Sequence, residues 1–510
     1  MRSKLLIAAF VVFVAAASAV LAFDSNAPRT LRVRMLAPDG KPIPKESIRE
    51  FHIRNLTDEL VYAKIELSDG VAVIPMPDQP FQISTVLKVP GFGEVAVYAD
   101  NHGKGYSTPG QIDFLTDAAA TRLERVRAAL GKAKSEGLVM PKSFAEKLAA
   151  AAKDTPYGSL AVTLAAGEEL TLARANYRIS KYKAPRKSFL FGCNCSPPEA
   201  HTPNFDTAWK SLFNWGTANL YMSGYAKEEG KRDFTRADWE VDWMWNNGVR
   251  DIKPCPPIYM ANGVTPPWLK TKQWPELRTI LRDMVYDVCK HYADKAQFCE
   301  IVNEAHDKSN SLALTPEQLN ECAVIASKAA REGNPKVKRI INSCRIWGEY
   351  AIKPNKAGRI PRSPYKYMQD SIKAGCEFEI VGLQLYYPDR DLFEIERTLD
   401  RYARFGKPIL ITEMECSSQP GISPTCTHPK ESPPWHEVWS EKTQADWVEG
   451  MYTIAYSKSY IQGIGWWSLQ DGREFWPWGG LLRHDGTPKP SYHRIKALQE
   501  KWGFEFGKGL

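Results

Sequence analysis

At 510 residues, with 43% hydrophobic and 25% charged residues, the chain has ordinary globular composition and enough length for roughly two to four domains. The formal charge of +8 is not gathered into a basic block, which argues against a nucleic-acid partner. Sixteen Trp and 21 Tyr supply flat apolar faces that stack on sugar rings as well as fill cores.

The chain opens with a short basic stretch, Met1 to Lys4, then an apolar run from Leu5 to Leu21 ending in Val20-Leu21-Ala22. This pattern predicts a secretory signal over 1–22, cleaved after Ala22, and hence a secreted or periplasmic protein without stable membrane association. An uncleaved anchor is the alternative, since the run is long for a signal.

From Leu31 to about Tyr98, short alternating stretches such as Leu31–Met35, Val71–Ile74 and Glu94–Tyr98 are separated by turn signals such as Ser68-Asp69-Gly70. Between Thr116 and Lys153 the period becomes helical (Leu123, Val126, Leu130, Phe144, Leu148), broken at Gly137 and Pro141. Strand-like sequence returns at Leu160–Leu164 and Leu170–Ala173. The reading is a β-sandwich-like domain over 23–180 with a helical hairpin insertion, followed by a linker over 181–188. Its role is either sugar binding or packing.

Beyond the linker, apolar strand-like runs alternate with helical stretches. Eight strands are predicted: Phe189–Asn194, Thr217–Met222, Val249–Cys255, Phe298–Glu304, Arg339–Cys344, Glu379–Tyr386, Pro408–Glu413 and Gly463–Leu469. Eight such units over 189–510 predict an α/β fold, a (β/α)8 TIM barrel, whose chemistry sits at the C-terminal ends of its strands.

All ten cysteines lie between Cys193 and Cys426. Cys416 and Cys426 flank a Pro/Gly/Ser loop and can bridge, although connectivity does not follow from sequence. Cys193 and Cys195 are too close for an ordinary mutual bridge and lack companion ligands, so a structural role is the expectation. Nine scattered His without a ligand spacing argue against a zinc enzyme; no metal or cofactor is expected, and a monomer is.

Two predicted strands end on a carboxylate, Glu304 and Glu413. Glycosidic cleavage needs one carboxylic acid to protonate the departing oxygen and one carboxylate to meet positive charge at the sugar carbon, and separate barrel strands can supply both. Pairing with Arg or Lys at the barrel mouth is the plainer explanation; their matching positions favour chemistry.

Here the chain resembles the family 10 glycoside hydrolases, the xylanase family, from about Phe189 to the end. Ile301-Val302-Asn303-Glu304-Ala305 is similar to the family's acid/base motif, and Ile411-Thr412-Glu413-Met414-Glu415 to its nucleophile motif. The resemblance implies a retaining double displacement on β-1,4-linked polysaccharide, most readily xylan, with Glu304 as acid/base, Glu413 as nucleophile and Asn303 on the sugar 2-hydroxyl. Gln384 matches the sixth strand, and Tyr386 stands where a His is usual. Trp467 would form the floor of the site and Trp476 an aromatic wall.

The second-strand motif keeps only Asn219, with Met222 at the family's Lys. On the third strand Cys255 replaces a His and Tyr259 a Trp. Those family residues bind xylose before the cleaved bond, so their loss removes charge-assisted hydrogen bonds and reshapes the pocket. A non-catalytic carbohydrate-binding barrel, or the same chemistry on a different or decorated glycan, is therefore an alternative. The expected electrostatics are a raised pKa at Glu304 and an ionised Glu413, with the carboxyl groups roughly 5 to 5.5 Å apart. His306, two residues past Glu304, is expected on a solvent-facing loop.

Overall fold

Alternation of apolar and polar residues builds the first strands: β1 (Thr30–Arg34), β2 (Arg49–Asn55), β3 (Leu60–Val61), β4 (Glu66–Ser68), β5 (Val71–Pro75), β6 (Phe81–Val89), β7 (Gly93–Ala99) and β8 (Gly110–Asp113). In this computed structural model, which describes residues 29–506 apart from 307, 352, 353 and 355–357, they form two four-stranded sheets. The expected export signal lies outside the described residues. The sheet orders are β4-β5-β1-β8 and β3-β2-β6-β7. The turn between β4 and β5 needs glycine: Gly70 has φ +65°, and a Cβ there would lie 2.6 Å from that of Pro42.

Three helices follow as one block: α1 (Phe114–Ser135), α2 (Lys142–Ala151) and α3 (Pro156–Ser180). The first two are the expected hairpin, turning at Gly137. The strands expected at Leu160–Leu164 and Leu170–Ala173 are instead turns of α3. Short apolar runs suit either structure, and here the ends decide. Thr155 caps the helix by accepting from the Gly158 amide, Pro156 occupies the first turn, and Leu160, Thr163, Leu164 and Gly167 bury one face at spacings of three and four. That face packs with Phe114 and Ala118 of α1 against Val33, Ile74 and Ile83 of the sheets.

The second part is an eight-stranded parallel barrel: β9 (Leu190–Asn194), β10 (Trp215–Asn219), β11 (Asp251–Cys255), β12 (Phe298–Asn303), β13 (Lys338–Ser343), β14 (Ile380–Tyr386), β15 (Ile409–Glu415) and β16 (Ile461–Trp466). Helices alternate with the strands. The sheet runs β11-β10-β9-β16-β15-β14-β13-β12, and the Gln297 amide closes the circle by donating to Ile252 O at 3.1 Å. All eight expected strands are present with shifted ends. β10 stops at Asn219, and Met222 begins a short helix; β15 continues two residues past Glu413.

Inside the barrel the layers change character toward the C-terminal ends. Leu190, Trp215, Phe298, Ile340, Ile380 and Leu410 form an apolar plug. Trp215 fits because Gly192 faces it, where a Cβ would lie 2.0 Å from the indole. Beyond the plug come a buried ion pair, Lys253 on β11 to Glu300 on β12 at 2.6 Å, and then amides and carboxylates. Register shifts interrupt pairing at Ile301 on β12 and at Thr412 on β15. An extra residue breaks the two-residue alternation, so Glu300 and Asn303, three apart, both bond to side chains from other strands.

The two parts meet through arginine–carboxylate pairs centred on 389–402, which includes the helix Leu392–Tyr402. Arg397 reaches Asp58 at 2.6 Å, Arg401 reaches Glu59 at 2.8 Å, Arg390 reaches Glu50 at 3.0 Å and Arg49 reaches Asp389 at 2.7 Å. Deeper in, Arg122 of α1 pairs with the fully buried Asp391. The expected linker is also held: Arg186 donates to Ile461 O at 2.7 Å and Tyr182 Oη to Tyr456 O at 3.0 Å.

Candidate active site

Glu304 follows β12 in a left-handed backbone conformation, φ +51°, which turns it out of the strand direction. Its Oε2 accepts from Tyr259 Oη and Ser309 Oγ, each at 3.0 Å, and its Oε1 from Gln384 Nε2 at 3.0 Å. Lys308 Nζ lies 3.9 Å away. Glu413, on β15, accepts from Tyr386 Oη at 2.7 Å and from Asn342 Nδ2 at 3.3 Å. Amides join the two carboxylates: Asn303 Oδ1 receives both Asn342 Nδ2, at 3.1 Å, and Gln384 Nε2, at 3.3 Å. Thr412 orients Asn342 by donating to its Oδ1 at 2.6 Å.

Two cavities flank this cluster, with Phe475 on the wall of both. One, of about 270 Å³, is lined by Glu304, Tyr259, Gln384, Tyr386 and Trp476. The other, of about 520 Å³, is lined by Asn194, Asn219, Tyr221 and Trp467. The structure thus gathers Glu304, Glu413, Asn303, Tyr259, Gln384, Tyr386 and Trp476 around one centre and puts Asn219 and Trp467 beside it. Cys255 is 3% exposed and lines neither cavity. Met222 is fully buried.

The expected charge states are reversed. Burial pushes Glu304 up, but Lys308, His306 and hydrogen bonding from Cys344 and Gln384 outweigh it, leaving the carboxyl below its ordinary value. Burial pushes Glu413 up to about 8, reinforced by the Glu300 carboxylate and only partly offset by Lys253 and Tyr386. The reversal comes from neighbours absent from the short motifs: a cation beside Glu304 and an anion beneath Glu413. His306 is also corrected. It is fully buried, with Nδ1 2.7 Å from Tyr350 Oη and Nε2 3.7 Å from Cys344 Sγ.

All ten cysteines are free thiols, so Cys416 and Cys426 are not bridged. Sequence reasoning missed Asn342, Ser309, Lys308, Phe475 and the Lys253–Glu300 pair. Asn342 had a signal: a polar residue near the C-terminal end of an apolar strand run is costly to bury without partners. Glu415 is another. Its carboxylate accepts the Ser468 amide at 2.6 Å and the Trp476 amide at 2.7 Å, which fixes the loop carrying Trp476.

Among the described residues no helix is long and apolar enough to cross a membrane. The model for glycosyl hydrolase family 10 matches residues 182–498, more than half of the chain. An endo-1,4-beta-xylanase 2 of Arabidopsis thaliana is 20% identical over 63% of this chain and 28% of its own length. For endo-1,4-beta-xylanase B of Cellvibrio japonicus the values are 22%, 54% and 44%. The crystal structure of native xylanase 10B from Thermotoga maritima aligns with 62% of this chain and 97% of its own, at 20% identity and a TM-score of 0.48. This chain thus spans less than half the length of those two curated relatives. On the match over 182–498, the chain belongs to glycosyl hydrolase family 10.

Proposed function

We propose that the protein is a retaining glycoside hydrolase that cleaves β-1,4-linked xylan, with Glu304 as acid/base and Glu413 as nucleophile. The observation that carries this reading is the pair of buried carboxylates on β12 and β15, joined through Asn303, Asn342 and Gln384 and flanked by aromatic-lined cavities. Membership of family 10 and the xylanase names of its relatives support the substrate.

In the first step the Glu413 carboxylate attacks the anomeric carbon while Glu304 gives its proton to the departing glycosidic oxygen, forming a glycosyl ester on Glu413. In the second, Glu304 takes a proton from water, whose oxygen displaces Glu413. The chemistry needs one proton on the pair, located on Glu304 when the bond breaks. In the empty cleft Glu413 has the higher proton affinity of the two. The proton must therefore pass to Glu304 as the sugar binds, so that it is in place when the bond breaks. Tyr386, in place of a His, holds Glu413 through its hydroxyl. The donor side of the cleft is the cavity with Asn219 and Trp467, and the acceptor side is the one with Glu304 and Trp476.

Incubation with β-1,4-xylan tests this. Reducing ends accumulate with the native protein and not with Glu413→Gln; sugar binding without any release of reducing ends by the native protein would instead favour a non-catalytic barrel.

A further inference from the structure

The segment between β15 and the helix Glu441–Ser457 meets the cleft at one end and the N-terminal part of the chain at the other. At the cleft it backs the aromatic wall. The His428 ring stacks on both Phe475 and Trp476, with centroids 5.2 Å apart in each pair, and the Thr427 and His428 amides donate to Glu474 O and Phe475 O at 2.9 Å. Glu415 fixes the Trp476 amide, whereas the indole Nε1 donates to Ser432 Oγ on this segment. The orientation of the Trp476 ring thus depends on where Ser432 is held.

Just beyond Ser432 the segment leaves the barrel. Trp435 bridges Gly93 on the edge strand β7, so closely that a Cβ on Gly93 would lie 2.8 Å from Pro434 O, and His436 packs against Phe92 with ring centroids 4.5 Å apart. Glu168 of α3, 5% exposed, gathers these contacts. Its Oε1 accepts from Trp435 Nε1 at 3.1 Å and from the Leu392 amide at 2.9 Å, and its Oε2 lies 2.5 Å from His436 Nε2. Burial pushes the His436 imidazole down, but the Glu168 carboxylate outweighs it and holds the ring above its ordinary value, so the bond is charge-assisted. His436 has φ +62°, a conformation that persists only where the surroundings impose it. Pro433 and Pro434 join the two ends; their rings fix φ, and Trp439 Nε1 donates to Pro433 O at 2.8 Å. A buried carboxylate adds little net stability over an apolar side chain, so its three donors serve to define one position.

We propose that Glu168 is a positioning residue for the glycosidase reaction: by clamping Trp435 and His436 it fixes Ser432 and hence the Trp476 wall of the acceptor side, which makes the N-terminal part a component of the catalytic unit. The inference rests on the glycosidase reading. Glu168 acts through the clamped segment and not on the sugar. With the clamp released, acceptor-side sugars lose a fixed wall, while donor-side sugars keep Asn219 and Trp467.

The test compares kcat/KM on a β-1,4-xylo-oligosaccharide long enough to span the cleft with kcat/KM on an aryl β-xylobioside, which places no sugar on the acceptor side. His436→Ala and Glu168→Gln are each expected to lower the value about tenfold on the oligosaccharide and by less than about twofold on the aryl glycoside. Glu169→Gln, on the exposed neighbour in α3, should change neither. The His436 side chain is 40% exposed, so His436→Ala carries the test even if Glu168→Gln fails to fold. Equal losses on both substrates, or no loss on either, overturns the inference and leaves the glycosidase reading intact. Turnover of neither substrate by the native protein overturns the glycosidase reading. Calorimetric binding of the oligosaccharide in the Glu413→Gln background then decides the clamp without turnover: weaker binding when His436→Ala is added supports it, and unchanged binding overturns it as well.

Discussion

Tyr386 Oη donates to Glu413 Oε2 at 2.7 Å, so the residue read as standing in place of the family's His hydrogen-bonds the proposed nucleophile. A phenol is a neutral donor at working pH, and burial pushes the Tyr386 hydroxyl well above its ordinary value. It therefore orients Glu413 without adding positive charge. Tyr386→Phe should lower kcat/KM by about tenfold, the loss of one hydrogen bond to a charged group, and steady-state kinetics on xylan would show it. An unchanged rate would mean that Asn342 alone positions the carboxylate.

Activity should depend on pH through the pair. The reactive form holds one proton, so kcat/KM should fall on the alkaline side near pH 8, where Glu413 gives up the shared proton, and on the acid side below the ordinary carboxylate value, where Glu304 also becomes protonated. Glu300→Gln removes the anion that, after burial, most raises Glu413, and should move the alkaline limb to lower pH. A limb that stays in place would separate Glu300 from the titration.

Stability should follow the same groups. Glu413 and Glu415 are both pushed up to about 8 in the folded protein, chiefly by burial. A raised folded pKa means that the native state binds more protons than the unfolded one between about pH 4.5 and 8. Their contribution is full below the unfolded value and is lost as pH rises through 8. The melting temperature should accordingly drop between about pH 5.5 and about pH 8.5, and less steeply in Glu415→Gln.

Lys253 and Glu300 are 0% and 1% exposed, so each depends on the other. Lys253→Met leaves a buried carboxylate unpaired and should cost about 3 to 5 kcal/mol in chemical unfolding. Changing both, to Met and Leu, should recover most of that loss. If the single variant is as stable as the native protein, the pair is not holding the barrel interior.

Arg122 and Asp391 couple the two parts of the chain with side chains 6% and 0% exposed. Asp391→Ala should destabilise by about 3 kcal/mol, because the buried Arg122 then keeps Glu394, at 3.5 Å, as its paired carboxylate, besides the Thr163 and Leu164 carbonyls. A single cooperative transition in the native protein and two separated ones in the variant would show that this interface makes the parts unfold together.

The barrel was legible because each of its strands is a buried apolar run followed by a helical stretch, and the two carboxylates sit where such strands end. Segments whose local pattern is ambiguous were not. Leu160–Leu164 reads as a strand until the cap at Thr155 and the three-and-four spacing through Leu170 are seen together. The domain interface was hidden for a different reason. In Leu392–Tyr402, Glu394, Glu396 and Arg401 suggest an exposed face, yet they are buried by pairing with arginines and carboxylates of the sandwich, partners more than 200 residues away. The proton affinities of Glu304 and Glu413 depend on Lys308 and Glu300, whose approach is set by the turn after β12 and by the bulges. No short motif encodes that approach.

The most direct test of the central claim is the stereochemistry of the first-formed product. Proton NMR of a short β-xylo-oligosaccharide, followed from the moment the protein is added, should show the β-anomer of the new reducing end appearing first and converting slowly to the α-anomer. An α-anomer appearing first would contradict double displacement through Glu413.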